Sequence, residues 1–260
     1  MFLKSEFGSI YYEVKGPENA PAVIFTHGGG LNGDMFLDQV SALKDRFRVI
    51  TWDLPGHGRS AKLEEKLDII KMGEIMVNIM DELGIEKAVA VGQSLGVYVN
   101  QHAAVNYPDR IRAIVSIGGL PIDILINRLE LTLYKVGLAL SRWFPEKFIF
   151  QRSAKEKART KKAREFFFKS MSEMGKEQFL LMLSGQIEVC EVKVEKAPSQ
   201  PLLITHGEHE MPKSLIKANR KWHEAVPGSR YFEIPGAGHN ANMDKPWEFN
   251  RVLLEFLGEL

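Results

Sequence analysis

Residues 92–96 of this 260-residue chain read Gly92-Gln93-Ser94-Leu95-Gly96, the spacing G-x-S-x-G. A serine hydroxyl becomes a useful nucleophile only when a neighbouring base takes its proton. Context decides whether this serine is placed for that. An apolar run at 87–91 precedes it and a helical pattern at 96–107 follows, so Ser94 falls on a sharp strand-to-helix turn that lifts its hydroxyl above a sheet. Glycines at 92 and 96 leave room for the bend. The same turn points the Leu95 amide, at a helix N-terminus, toward any developing oxyanion. The turn carries neither G-x-G-x-x-G nor G-x-x-x-x-G-K-S/T, which argues against a phosphate cradle.

A second donor is expected from His27-Gly28-Gly29-Gly30, directly after the apolar run AVIFT at 22–26. Glycines there let backbone amides approach a ligand, and the Gly29 amide is the expected partner of Leu95. His27 reads as a loop brace. For the base, Pro235-Gly236-Ala237-Gly238-His239 follows a late strand on a glycine-rich loop, late in the chain as a serine–acid–histidine order requires. His57 sits in a Gly-His-Gly turn, and His102 and His223 lie on helical patterns. The acid is more open. Glu210, in His206-Gly207-Glu208-His209-Glu210, has the preferred spacing; Asp123, after the strand at 111–117, and Glu208 are the alternatives.

Elements that position such residues follow from the apolar patterning. Residues 9–15 alternate like a half-buried strand, while 22–26, 48–52, 87–91, 111–117 and 201–205 are short apolar runs suited to strands buried on both faces. Helical patterns at 35–45, 68–83 and 96–107 lie between them, with Gly84 and Pro108 as stops. The alternation predicts an α/β fold with a mostly parallel central sheet and helices on both faces. From 122 to 196 the pattern is almost wholly helical; strand signals resume at 202–204 and 231–234, and a helix at 246–257 closes the chain. The expected organisation is a core of residues 1–120 and 198–260 with a helical cap, 121–197, inserted in it. Leu125, Leu129, Leu133, Val136, Leu140, Trp143 and Phe144 recur at helical spacings, and Phe166 to Phe168, Met171, Met174, Phe179, Met182 and Leu183 continue the apolar supply. Their expected role is to hold the cap on the sheet and, for some, to line an acyl pocket.

Composition narrows the partners. Lys plus Arg number 34 against 33 Asp plus Glu, a formal charge of +1, without the basic excess of a nucleic-acid binder. The local basic stretch Arg152, Lys155, Lys157, Arg159, Lys161, Lys162 and Arg164 is expected to be a solvated helix face. A single cysteine, Cys190, permits no intrachain disulfide, and no apolar stretch reaches membrane-spanning length. A cytoplasmic protein without stable membrane insertion, metal or cofactor is the expectation.

On the segments THGGG (26–30), WDLPGHGRS (52–60), VGQSLG (91–96), ITHGEHE (204–210) and PGAGHNANMDKP (235–246), the chain resembles the α/β-hydrolase superfamily, in its serine-nucleophile, esterase- and lipase-like branch with a helical cap. The resemblance covers nearly all of the chain outside the cap and implies the triad Ser94, Glu210 and His239. Two departures stand out: Glu210 where aspartate is usual, and Val97 where a small residue is common. The implied activity is hydrolysis of a small to medium apolar carboxylic ester through an acyl-enzyme. A C–C hydrolase, a thioesterase or a cofactor-free perhydrolase would use the same triad, and a ligand-binding signalling protein would keep only the fold.

Overall fold

The computed structural model describes residues 1–123, 128–192, 194 and 196–260. Among the described residues the strands are β1 (Phe2–Ser5), β2 (Gly8–Lys15), β3 (Ala22–Thr26), β4 (Arg48–Trp52), β5 (Ala88–Gln93), β6 (Ile111–Ile117), β7 (Leu202–Gly207) and β8 (Arg230–Ile234). They form one sheet in the order β1-β2-β4-β3-β5-β6-β7-β8. The β1–β2 and β2–β4 pairs are antiparallel, and every later pair is parallel. Each residue of β3, β5 and β7 is buried, which is why their sequences are continuous apolar runs and not alternating ones.

Outside the insertion the helices are α1 (Leu37–Leu43), α2 (Ile69–Glu82), α3 (Leu95–Asn106), α8 (Lys213–Ala225), α9 (Ala241–Asp244) and α10 (Pro246–Gly258). The predicted helix at 35–45 is divided, a 3-10 turn at Gly33–Phe36 leading into α1. Asp68 caps α2 by accepting the amides of Ile70 and Lys71, and Pro246 opens α10 where its missing N–H costs nothing.

Four helices, α4 (Arg128–Ser141), α5 (Glu146–Lys157), α6 (Lys161–Met174) and α7 (Lys176–Val189), lie between β6 and β7. Phe167, Met171, Met174, Phe179 and Met182 bury themselves in the main core, with Phe166, Phe168 and Leu183 packed partly buried against it; Phe150 and Ala154, outside the runs singled out by sequence, join them there. The first run behaves differently. Leu125 lies outside the described residues, and Leu129, Leu133, Val136, Leu140, Trp143 and Phe144 are exposed. Helical periodicity marks a stripe but not what faces it; α4 packs chiefly against α7, which leaves much of its apolar stripe toward solvent. No helix among the described residues is long and apolar enough to cross a membrane.

Candidate active site

The ends of β3, β5, β7 and β8 deliver the candidate residues to the C-terminal edge of the parallel sheet, where open α/β sheets bind their ligands. Ser94 follows β5 with φ 50° and ψ −108°, the sole non-glycine residue at positive φ among those described. Such a conformation costs on the order of 1–3 kcal/mol and persists only where the surroundings enforce it. Here they do. The Ser94 amide donates to the Ile117 carbonyl at 2.9 Å, and a Cβ on Gly96 would stand 2.1 Å from the Thr26 carbonyl oxygen. The elbow is therefore wedged between β3 and β6. Its hydroxyl does not cap α3, although Ser94 occupies the cap position, so it is not used as a structural acceptor there.

Glu210 and His239 meet from the loops that follow the neighbouring strands β7 and β8. Nδ1 of His239 donates to Oε1 of Glu210 at 2.8 Å, and the carboxylate is fully buried. The same Oε1 accepts the Met211 amide at 3.0 Å, while Oε2 has no partner. Burial alone pushes the Glu210 carboxyl up. The attraction and hydrogen bond of His239, the charge of Lys157 and the Met211 amide outweigh it, and its pKa lies below the ordinary carboxylate value. An ionised Glu210 fixes the Nδ1–H tautomer and leaves Nε2 as the basic nitrogen of the ring.

Gly118 is what lets this pair approach the elbow. It has φ +60°, and a Cβ there would lie 3.0 Å from both Glu210 Oε2 and His239 Nδ1. Since Ile117 holds the Ser94 amide, the acid–base pair and the serine flank one turn of backbone, 117–118. Gln93 ties the other side: its Nε2 donates to the His239 carbonyl at 3.3 Å and to Asn240 Oδ1 at 3.1 Å. The Val97 departure is absorbed at Gly119, where a Cβ would come within 2.5 Å of the valine.

The loop after β3 is braced by two buried histidines. His27 Nε2 accepts the Leu54 amide at 2.9 Å, and His57 Nε2 accepts the Gly30 amide at 3.1 Å. Burial lowers their pKa values to about 4 and about 3, so both are neutral acceptors at neutral pH. The Gly29 amide, between these braced positions, meets no acceptor among the described residues. Leu95 is the first residue of α3, so its amide has no intrahelical acceptor either. Above this loop the insertion supplies apolar groups: Met182 Sδ would be 2.8 Å from a Cβ on Gly29, and Met171 Cγ 2.9 Å from one on Gly30.

No hydrogen bond among the described residues joins either of the other acid candidates to His239. Asp123 is exposed on a turn, and Glu208 accepts the Gly236 amide at 2.9 Å. The basic stretch is largely solvated and ion-paired, Arg152 to Glu156, Lys161 to Glu165 and Lys162 to Asp38. Two supporting residues, Gln93 and Gly118, have contacts that the sequence reading does not identify. Paired glycines at the end of a strand are the available signal for Gly118; Gln93 acts through long-range bonds that leave no local pattern.

The Ser94 hydroxyl makes no hydrogen bond among the described residues, to His239 or to any other; a buried carboxylate–imidazole pair, a serine on the adjoining turn and two amides without acceptors are together the groups that acyl transfer needs. A family model described as alpha/beta hydrolase fold matches residues 21–246. The chain is 43% identical over 84 residues to 3-oxoadipate enol-lactonase 1 of Acinetobacter baylyi, covering 32% of this chain and only 31% of that protein. A Shigella flexneri protein named for carbamate hydrolysis is 26% identical over 266 residues, covering 93% of each chain. Among solved structures, a thermophilic esterase from Thermogutta terrifontis has a TM-score of 0.85 at 21% identity, covering 100% of this chain and 98% of that one. At that identity the likeness is one of fold.

Proposed function

Because the chain belongs to the alpha/beta hydrolase fold family, we propose that it is a serine hydrolase cleaving a small to medium apolar carboxylic ester through an acyl-enzyme. In this reading Ser94 Oγ attacks the carbonyl carbon while its proton passes to Nε2 of His239. The carbonyl electrons move onto oxygen, which the amides of Leu95 and Gly29 stabilise; donors of this kind are worth on the order of 3 kcal/mol each. Collapse breaks the ester C–O bond, and the leaving alkoxide takes the proton from His239. Water then attacks the acyl-Ser94 carbonyl by the same route, releasing the carboxylic acid and restoring the hydroxyl. Glu210 holds the ring and offsets the imidazolium charge throughout.

The observation that carries this reading is the 2.8 Å bond from His239 to a fully buried Glu210, next to the backbone turn that holds Ser94. The apolar acyl preference is supported by Met171, Phe179 and Met182, which the insertion packs against Gly29 and Gly30. The activities for which these similar proteins are named, on a lactone, a carbamate and an ester, share attack on a carbonyl with an oxygen or nitrogen leaving group. The test is labelling by a fluorophosphonate probe together with a chromogenic ester series of increasing acyl length. The wild type is expected to be labelled and to turn over short esters, and Ser94→Ala to do neither. A wild type that turns over no ester and takes no label would sink the reading.

A further inference from the structure

His239 is flanked on both sides by backbone bonds that lead to the helical insertion, one through Asp244 of α9 and one directly. On one side the Gly238 amide donates to Asp244 Oδ2 at 2.9 Å. The same carboxylate accepts the amides of Arg159 at 2.9 Å and Thr160 at 2.8 Å, and the Thr160 hydroxyl at 3.1 Å. On the other side the Asn240 amide donates to the Lys157 carbonyl at 3.1 Å. Lys157 is the last residue of α5 and residues 158–160 form the hinge to α6; from this hinge the Arg159 guanidinium donates to the carbonyl of His209, directly before Glu210, at 3.3 Å. Asp244 is itself buried, so these bonds form where water competes poorly. One hinge is thus bonded to the loops of both the candidate base and the candidate acid.

We propose that Asp244 is a positioning residue which clamps the α5–α6 hinge to the His239 loop, so that the seating of the insertion sets the imidazole against Ser94. The proposal rests on the hydrolase reading for its consequence in turnover, but the clamp itself is a matter of geometry. Misplacing a base by about an ångström costs up to about 100-fold in rate. A carboxylate that accepts four donors is well suited to such a clamp, because both of its oxygens are used and no titratable partner is bonded to either. Its effect is expected in the chemical step, since Asp244 lies behind the histidine loop and not against the apolar groups over Gly29.

The experiment compares Asp244→Asn, Thr160→Pro and a remote core control, Met80→Ala, in the intact protein. Asp244→Asn keeps the shape but turns one acceptor into a donor facing N–H groups. Thr160→Pro removes the N–H and hydroxyl that reach Asp244 at a φ of −82°, which proline accepts. Three readouts are taken: kcat and KM on a short ester, the rate of fluorophosphonate labelling, and the low-field proton resonance of the His239 Nδ1–H, assigned by its loss in Glu210→Gln. Asp244→Asn is expected to lower kcat and the labelling rate by about 10- to 100-fold with KM little changed, and to broaden the resonance. Thr160→Pro should move all three in the same direction. Met80→Ala, matched for loss of thermal stability, should move none. The clamp is overturned if Asp244→Asn loses stability yet keeps its resonance and kcat, or if Thr160→Pro leaves them untouched. Failure of the hydrolase reading looks different: the wild type is then unlabelled, while the resonance still decides the clamp.

Discussion

Lowering the pH from 7 to 5 should destabilise this protein by about 4 kcal/mol through two residues with no expected role in catalysis. His27 and His57 are buried, their rings 4.9 Å apart, and each spends Nε2 as an acceptor for a backbone amide. Desolvation holds His27 at about 4; desolvation and the neighbouring His27 hold His57 at about 3; both are far below the unperturbed 6.5. The folded values are depressed, so the unfolded chain protonates first. The stabilisation is complete above pH 6.5 and drains away as the pH falls toward the folded values. At pH 5 the unfolded chain has gained a proton on each ring and the native state almost none. That is about 1.5 pH units for each of two groups at about 1.4 kcal/mol per unit, or roughly 4 kcal/mol. Against a typical total of about 5–15 kcal/mol this is a large share.

Urea unfolding followed by circular dichroism at pH 7 and pH 5 measures the loss. The comparison that isolates it is the double variant His27→Gln/His57→Gln, whose amides can still accept from Leu54 and Gly30 but cannot titrate. The variant should lose about 4 kcal/mol less than the wild type over this interval. His102, lowered by burial, and Glu210, held despite its burial below the ordinary carboxylate value chiefly by His239, are present in both proteins and cancel. Parallel pH dependence in the two proteins would refute the reasoning, because it would mean that the buried rings do not carry the linkage.

Further outcomes follow from the same geometry. Glu210→Gln should cut kcat on a short ester by on the order of 10³–10⁴, since a neutral amide neither fixes the tautomer nor offsets the imidazolium, while Asp123→Asn leaves steady-state rates unchanged. Gly96→Ala should cost about 3 kcal/mol or more in denaturant titration, because the 2.1 Å contact its Cβ would make is with the backbone oxygen of Thr26 and no side chain can yield there. Met182→Ala should shift kcat/KM toward longer acyl chains by about 10-fold relative to the wild type, measured across the ester series, because it removes the side chain packed over Gly29.

The sheet is legible in sequence where burial is two-sided. β3, β5 and β7 announce themselves as uninterrupted apolar runs because both faces are covered. β1 gives no such signal, because a four-residue edge strand with alternating exposure has too little pattern to separate from a loop. α8 is harder to read for a different reason: Leu215, Ile216, Ala218 and Trp222 recur at helical spacing but stand among eight polar residues, and only Asn219 and Trp222 are buried. In the insertion the helical periodicity is correct and the partner it suggests is not. Leu133, Val136 and Leu140 keep helical spacing yet face solvent, whereas Phe167, Met171 and Met182 reach the core. Periodicity is a property of one helix; burial is a property of two surfaces.

The same distinction explains which parts of the candidate site can be read. Ser94, Leu95 and Gly29 lie in motifs whose geometry is local, because a strand, a turn and a helix start occur within a few residues of sequence. His239 is readable from its place on a glycine loop after the last strand. The acid is not, since three carboxylates stand at plausible places and only the approach of residues 29 positions apart separates Glu210 from Asp123 and Glu208. Supporting residues are hidden more deeply still. Gln93 reaches the His239 carbonyl across 146 positions, and Asp244 reaches the α5–α6 hinge across 84 and 85. A side chain that acts by bonding backbone far away needs no neighbour in sequence, so it leaves no spacing to find. The serine, histidine and oxyanion amides proposed for this site are therefore visible in one chain, while the choice of acid and the groups that align them require the fold. That is why a substitution at Asp244, which no local pattern marks, is expected to disturb the imidazole, whereas one at Asp123, which follows a strand as a triad acid does, is expected to leave the rate alone.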